Sequence, residues 1–116
     1  MFNEERLITV SEVRYDFATF FDRVRCLYNI CFFREEKSNK AKDVERYADE
    51  LFQANRISDY IHSIIGEAIQ KFPLLLIGKI KKMEPSEVQK LLSNLKAWIS
   101  ISISDINSEI SELMPH

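Results

Sequence analysis

Glycine and proline are scarce in this chain, and neither occurs before Gly66. Glycine permits left-handed backbone conformations and proline interrupts helices, so a long stretch without either favours long regular elements. Gly66 and Gly78 are the only glycines, and neither begins a glycine-rich loop of the kind that cradles phosphate groups. The sequence therefore predicts packed helices and gives no sign of a nucleotide-binding loop.

Long hydrophobic runs and a cysteine framework are also lacking. The longest nearly uncharged run, residues 72–78, is far shorter than the roughly 20 residues that span a bilayer. The first ten residues carry two acids and no long apolar core, unlike a secretory signal. Cys26 and Cys31 lie five positions apart on a predicted helix, where they do not face each other. We therefore expect a cytoplasmic protein without a disulfide and without a membrane partner.

Charge of one sign does not dominate either. Sixteen basic residues against eighteen acidic ones give a formal net charge of −2. Nucleic-acid-binding proteins usually carry a basic excess or a basic stripe, so we do not expect a nucleic-acid partner. The chain is 46% hydrophobic and 29% charged, as in globular proteins, and its length suits one domain over residues 1–116.

What the chain does contain is helical periodicity. Apolar residues that recur at alternating steps of three and four keep to one helix face. Thr9 and Glu12 form a capping-box pattern directly before that stripe. A first helix over residues 10–33 follows, and its stripe consists of Val10, Val13, Phe17, Phe20, Val24, Leu27 and Cys31.

The rest of the chain continues in shorter helices. Ser38 or Asn39 is placed to cap the second helix, and the apolar rhythm changes phase near Asn55, which predicts a break there. Pro73 and Pro85 are expected to open further helices, because proline is tolerated in the first turn. We predict an all-α, antiparallel bundle of four to five helices with short connections, spanning approximately 10–33, 40–55, 57–72, 73–82 and 86–113.

Residues 98–104 leave two interpretations open. The segment from Trp98 to Ser104 alternates apolar and polar residues, which is typical of a strand, and residues 6–10 offer a strand partner. The same residues also fit the helical stripe on both sides, with no turn residue between them. We favour a helix.

Arg56 and His62 are the one pair in the sequence that suggests catalysis. The Arg-x5-His spacing resembles the pattern of the HEPN ribonucleases. The resemblance implies metal-independent RNA cleavage by a dimer, with the histidine moving a proton and the arginine holding the scissile phosphate. The alternative is a half-exposed helical histidine that pairs with Asp59, three residues earlier.

Metal and cofactor chemistry is not indicated. Two cysteines five residues apart and one internal histidine do not supply the paired ligand spacings of a zinc site. We expect Cys31 to be buried, since it lies on the first stripe, and Cys26 to be more exposed. The sequence predicts no enzyme activity, no metal and no cofactor.

Two charged segments suggest binding instead. Asp105, Glu109 and Glu112 recur at steps of four and three, which places them on one acidic face of the last helix. Such a face either is simply solvated or docks on a partner with a basic surface. Residues 71–83 combine apolar residues with four lysines, and we expect them to form a lid on the core rather than to rest on a membrane.

The preferred interpretation is a non-enzymatic helical protein that binds and neutralises or regulates a protein partner. Immunity proteins, antitoxins and inhibitors are classes of this kind. The first alternative is the HEPN-like ribonuclease with Arg56 and His62. The second is a structural subunit whose first helix stripe continues into a homodimer.

Overall fold

The computed structural model describes residues 6–114, and every regular element within them is helical. The predicted all-α bundle is confirmed. Its elements are α1 (Val10–Phe32), α2 (Ala41–Gln53), α3 (Asp59–Lys71), a 3-10 turn (Phe72–Leu75), α4 (Ile77–Ile80) and α5 (Pro85–Leu113).

The helix starts show where local signals decide the structure. The predicted capping box is present, because Glu12 N–H donates to Thr9 Oγ1 (3.1 Å) and Thr9 N–H donates to Glu12 Oε1 (3.2 Å). The prediction that Ser38 or Asn39 caps α2 was wrong. Lys40 occupies the cap position, and its side chain makes no capping hydrogen bond. Ser38 instead accepts a hydrogen bond from Lys40 N–H (3.2 Å), so it orders the residues before the helix.

Both open questions about helix continuity are resolved. Asn55 adopts φ +56°, which ends α2 and separates it from α3 as the change of phase indicated. The stretch from Trp98 to Ser104 is helical and lies in the middle of α5. Ser102 Oγ is buried there and donates to the carbonyl of Trp98 (3.0 Å). The helix backbone thus accepts the hydrogen bond that this buried hydroxyl requires.

The predicted helix over 73–82 does not form as one element. Leu76 is extended (ψ 134°) and divides the segment into the 3-10 turn and α4. The carbonyl of Leu75, which a continuous helix would have used, accepts a hydrogen bond from the Arg14 guanidinium of α1 (2.9 Å). A long-range partner therefore replaces the missing helical bond.

The core is built on α1. Phe17 is fully buried and packs against Phe72 (ring centroids 5.9 Å apart) and Trp98 (6.3 Å), which joins α1 to the 3-10 turn and to α5. Six of the seven stripe residues are buried within this single chain: Val13, Phe17, Phe20, Val24, Leu27 and Cys31. A homodimer would therefore need a surface other than this stripe.

The helices do not simply alternate in direction. Residues of α1 or just before it meet residues of α5 in the same order along both segments, through the pairs Ile8–Gln89 (3.0 Å), Asp16–Lys96 (2.8 Å) and Arg23–Asn107 (2.9 Å). Consequently α1 and α5 run in the same direction. The antiparallel arrangement holds for α3 against α5, since Tyr60 meets Asp105 while Lys71 lies over Trp98 (5.3 Å). The 33–40 and 72–84 connections are long enough to return the chain between these helices.

Candidate partner-binding surface

A side-chain hydrogen bond joins the acidic stretch of α5 to α3. Tyr60, in the first turn of α3, donates its phenolic hydrogen to Asp105 Oδ2 (2.6 Å). The hydrogen bond to Asp105 and then burial raise the pKa of Tyr60. The ring nevertheless stays 57% exposed, so the contact fixes a large aromatic group at the surface.

The three predicted acidic residues differ in their surroundings. The continuous helix places Asp105, Glu109 and Glu112 along one side of α5, as their spacing predicted. Asp105 is half-buried and held by Tyr60, whereas Glu112 is exposed. Glu109 is half-buried, and burial together with the nearby charge of Glu112 raises its pKa. Glu112 is therefore the carboxylate that a partner reaches most directly.

Apolar and acidic neighbours complete this surface. Ile101 precedes Asp105 by one turn of α5 and is 62% exposed. Glu67 follows Tyr60 by two turns of α3 and is exposed. Its negative charge contributes to the raised pKa of Tyr60. We call the set formed by Tyr60, Glu67, Ile101, Asp105, Glu109 and Glu112 the acidic face.

Arg56 and His62 have separate surroundings. His62 lies in the first turn of α3, where its Nε2 is 2.9 Å from Asp49 Oδ1 and its ring stacks on Phe52 (4.3 Å). The expected pairing with Asp59 was wrong, because the loop at Asn55 turns α3 back along α2 and brings Asp49 nearer. Arg56 lies in that loop rather than in a helix. The ribonuclease alternative stays a prediction, although His62 already has a carboxylate and an aromatic ring as partners.

Arg56 belongs to a small cleft at one end of the bundle. The cleft has a volume of about 250 Å³ and is lined by Ile30, Cys31, Phe33, Arg56 and Leu113. Cys31 is buried as predicted, and burial raises the pKa of its thiol. Cys26 is half-buried and is more exposed than Cys31, also as predicted. A thiol with a raised pKa is mostly protonated near neutral pH, so Cys31 acts as a small apolar side chain here.

A second polar cluster connects α1 to α2 and has a structural role. The buried Tyr28 donates to Glu50 Oε1 (2.9 Å) and stacks on Tyr47 (4.5 Å). Arg46 donates to the other oxygen of Glu50 (3.0 Å), and Arg34 donates to the Tyr28 hydroxyl. Each polar group of this cluster is thus used within the fold, which leaves the acidic face as the better candidate for recognition.

Two findings concern the kinds of site that residues 6–114 contain. Within that range no three histidine, cysteine, aspartate or glutamate side chains converge in the manner of a metal site. No helix in the same range combines the length and the apolar character needed to cross a bilayer.

Comparison of the chain with protein-family models, curated proteins and solved structures gives no match.

Sequence reasoning missed three members of this surface, Glu67, Ile101 and Tyr60, of which Tyr60 makes the hydrogen bond to α5. Tyr60 lies outside the buried positions Ile57, Ile61 and Ile64, so its exposure was readable from the helical period. Its hydrogen bond to Asp105 could not be predicted from the sequence, because the two residues lie 45 positions apart and no local pattern connects them.

Proposed function

We propose that this chain is a non-enzymatic protein that binds a protein partner with a basic surface through the acidic face. The observation that supports the proposal is the Tyr60–Asp105 hydrogen bond (2.6 Å), which holds an exposed aromatic ring among carboxylates. Tyrosine is enriched among residues that contribute most to binding, since it buries a large area and loses little conformational freedom. Immunity proteins, antitoxins and inhibitors are the classes that such a surface suits.

The charged and the apolar side chains of this face should affect different steps of binding. Exposed carboxylates mainly accelerate encounter with a basic partner, because their field acts over a Debye length of about 10 Å. Tyr60 and Ile101 supply the apolar area that slows dissociation once water is excluded. Reversal of the charges should therefore lower the association rate, whereas loss of the Tyr60 ring should raise the dissociation rate.

The test compares two charge-reversed proteins of equal net charge. Asp105→Lys/Glu112→Lys alters the acidic face, and Glu35→Lys/Glu45→Lys alters two exposed glutamates elsewhere. A protein captured from the native host by the wild type should be retained by the control and lost by the face variant. Association rates measured with that purified partner should fall at least tenfold for the face variant at low salt. Equal rates for both variants would contradict the proposal.

A further inference from the structure

The segment from Leu74 to Lys82, which we call the 74–82 segment, is apolar and basic at once. Leu76 and Ile77 are 50% and 55% exposed, and Leu74 is exposed beside them. Within the next five residues come three exposed lysines, and the segment contains no acidic residue. Those lysines are Lys79, Lys81 and Lys82.

The base of this segment is firmly attached to the bundle. Leu75 is buried, its carbonyl accepts the hydrogen bond from Arg14 (2.9 Å), and the Phe72 ring packs on Phe21 (5.6 Å). Beyond Leu75 the chain turns tightly, with Lys81 N–H donating to the carbonyl of Ile77 (2.9 Å). The exposed side chains are therefore presented on an ordered turn.

The expected lid is wrong for most of the segment. Of the predicted lid over residues 71–83, Phe72 and Leu75 pack on the core. In contrast, α4 has no buried residue and packs mainly on the 3-10 turn. Clustered exposed apolar side chains mark a contact surface more often than an isolated one does. The adjacent lysines indicate that whatever covers this surface carries negative charge.

We propose that the 74–82 segment binds the surface of a bilayer containing anionic phospholipids. Leucine and isoleucine side chains enter the boundary between headgroups and acyl chains, while lysine stems extend and place their ammonium groups among the phosphates. Leu76 and Ile77, followed within five residues by three lysines, supply the apolar and the cationic groups that the two layers of that boundary take up. This inference is independent of the acidic face, which uses other residues.

The expected binding is weak and depends on salt. A lysine near an anionic membrane surface contributes about 1 kcal/mol, or about fivefold in affinity, so loss of three contributes about a hundredfold. Screening shortens the reach of the membrane field as ionic strength rises. Binding should accordingly fall between low and physiological ionic strength.

The test is sedimentation of the full chain with lipid vesicles. One preparation contains phosphatidylcholine alone, and the other contains equal parts of phosphatidylcholine and phosphatidylserine. Lys79→Glu/Lys81→Glu/Lys82→Glu alters the segment, and its matched control reverses three exposed lysines near the start of α2, Lys37, Lys40 and Lys42. Ile77→Asp tests the apolar contribution at an exposed position, and circular dichroism verifies that each variant is folded.

We expect binding to the phosphatidylserine vesicles only. The segment variant should bind at least about a hundredfold more weakly, because each substitution removes a positive charge and adds a negative one, and the control should be much less affected. Ile77→Asp should also weaken binding. Absence of binding to phosphatidylserine vesicles at low salt would overturn the proposal, as would equal losses in both triple variants. Retention on immobilised polyglutamate without any vesicle binding would also overturn it and assign the segment to an acidic polypeptide.

Discussion

Replacement of Phe33 by glycine is expected to make the protein more stable. Phe33 ends α1 with φ +54° and ψ +48°, in the left-handed region where a Cβ atom lies too close to the backbone. Its ring is 95% exposed, so the side chain gains almost nothing from burial. The conformation is imposed by its surroundings, because the N–H groups of Phe33 and Arg34 both donate to the carbonyl of Asn29.

The magnitude follows from two opposing contributions. Removal of the Cβ atom relieves about 1–2 kcal/mol of strain. Glycine loses more conformational freedom on folding, which offsets about 0.5–1 kcal/mol of that gain. The free energy of unfolding should therefore rise, by about 0.75 kcal/mol at the midpoints of the two ranges. With an unfolding entropy of about 2 cal/mol/K per residue, a chain of this length should gain about 2–4 °C in Tm.

Urea unfolding at neutral pH measures this change, with Phe33→Ala as the matched control. Alanine removes the ring and keeps the Cβ atom, so its stability should stay within about 0.5 kcal/mol of the wild type. Asn55→Gly should gain less than Phe33→Gly, since asparagine tolerates the left-handed region at Asn55 (φ +56°). A destabilised Phe33→Gly, or equal values for alanine and glycine at Phe33, would refute the reasoning.

Two further predictions concern α3 and the start of α1. Gly66→Ala should stabilise α3 by about 1 kcal/mol in urea unfolding, because a Cβ at Gly66 meets no atom within 4 Å; a loss of similar size would contradict the open environment. The hydrogen bonds from Arg6 and from the backbone of Thr9 lower the pKa of Glu12 from 4.5 to about 2. The ionised form thus stabilises the fold above pH 4.5, and this contribution is lost as the pH falls towards 2. The stability difference between wild type and Glu12→Gln should shrink over that window, and a constant difference would contradict the assignment.

Local patterns in the sequence were sufficient to predict most helices. Steps of three and four from Val13 to Cys31 place one face of α1 in the core, and burial of that face confirms the period. The break at Asn55 was also visible, since the apolar rhythm changes phase there. Such features depend on residues within one or two turns, where backbone geometry fixes which side chains share a face.

Long-range contacts were not predictable in the same way. The division of residues 73–82 depends on Arg14, which binds the carbonyl of Leu75 from 61 positions away. The common direction of α1 and α5 depends on pairs such as Asp16–Lys96, which neither helix specifies alone. Spacing identified the acidic side of α5, but the contact between Tyr60 and Asp105 required the packing of α3 against α5.

The net charge does not describe the separate charged surfaces of this protein. The value of −2 is the basis for expecting no nucleic-acid partner, and it averages over surfaces of opposite sign. At a rise of 1.5 Å per residue, Pro85 and Asp105 lie about 30 Å apart along α5. The lysines near Pro85 and the carboxylates from Asp105 onward are thus separated by several Debye lengths of about 8 Å at physiological salt. Each surface therefore presents its own sign to an approaching partner, so the proposed basic protein and the proposed anionic membrane would each meet a field of opposite charge that the other surface does not cancel.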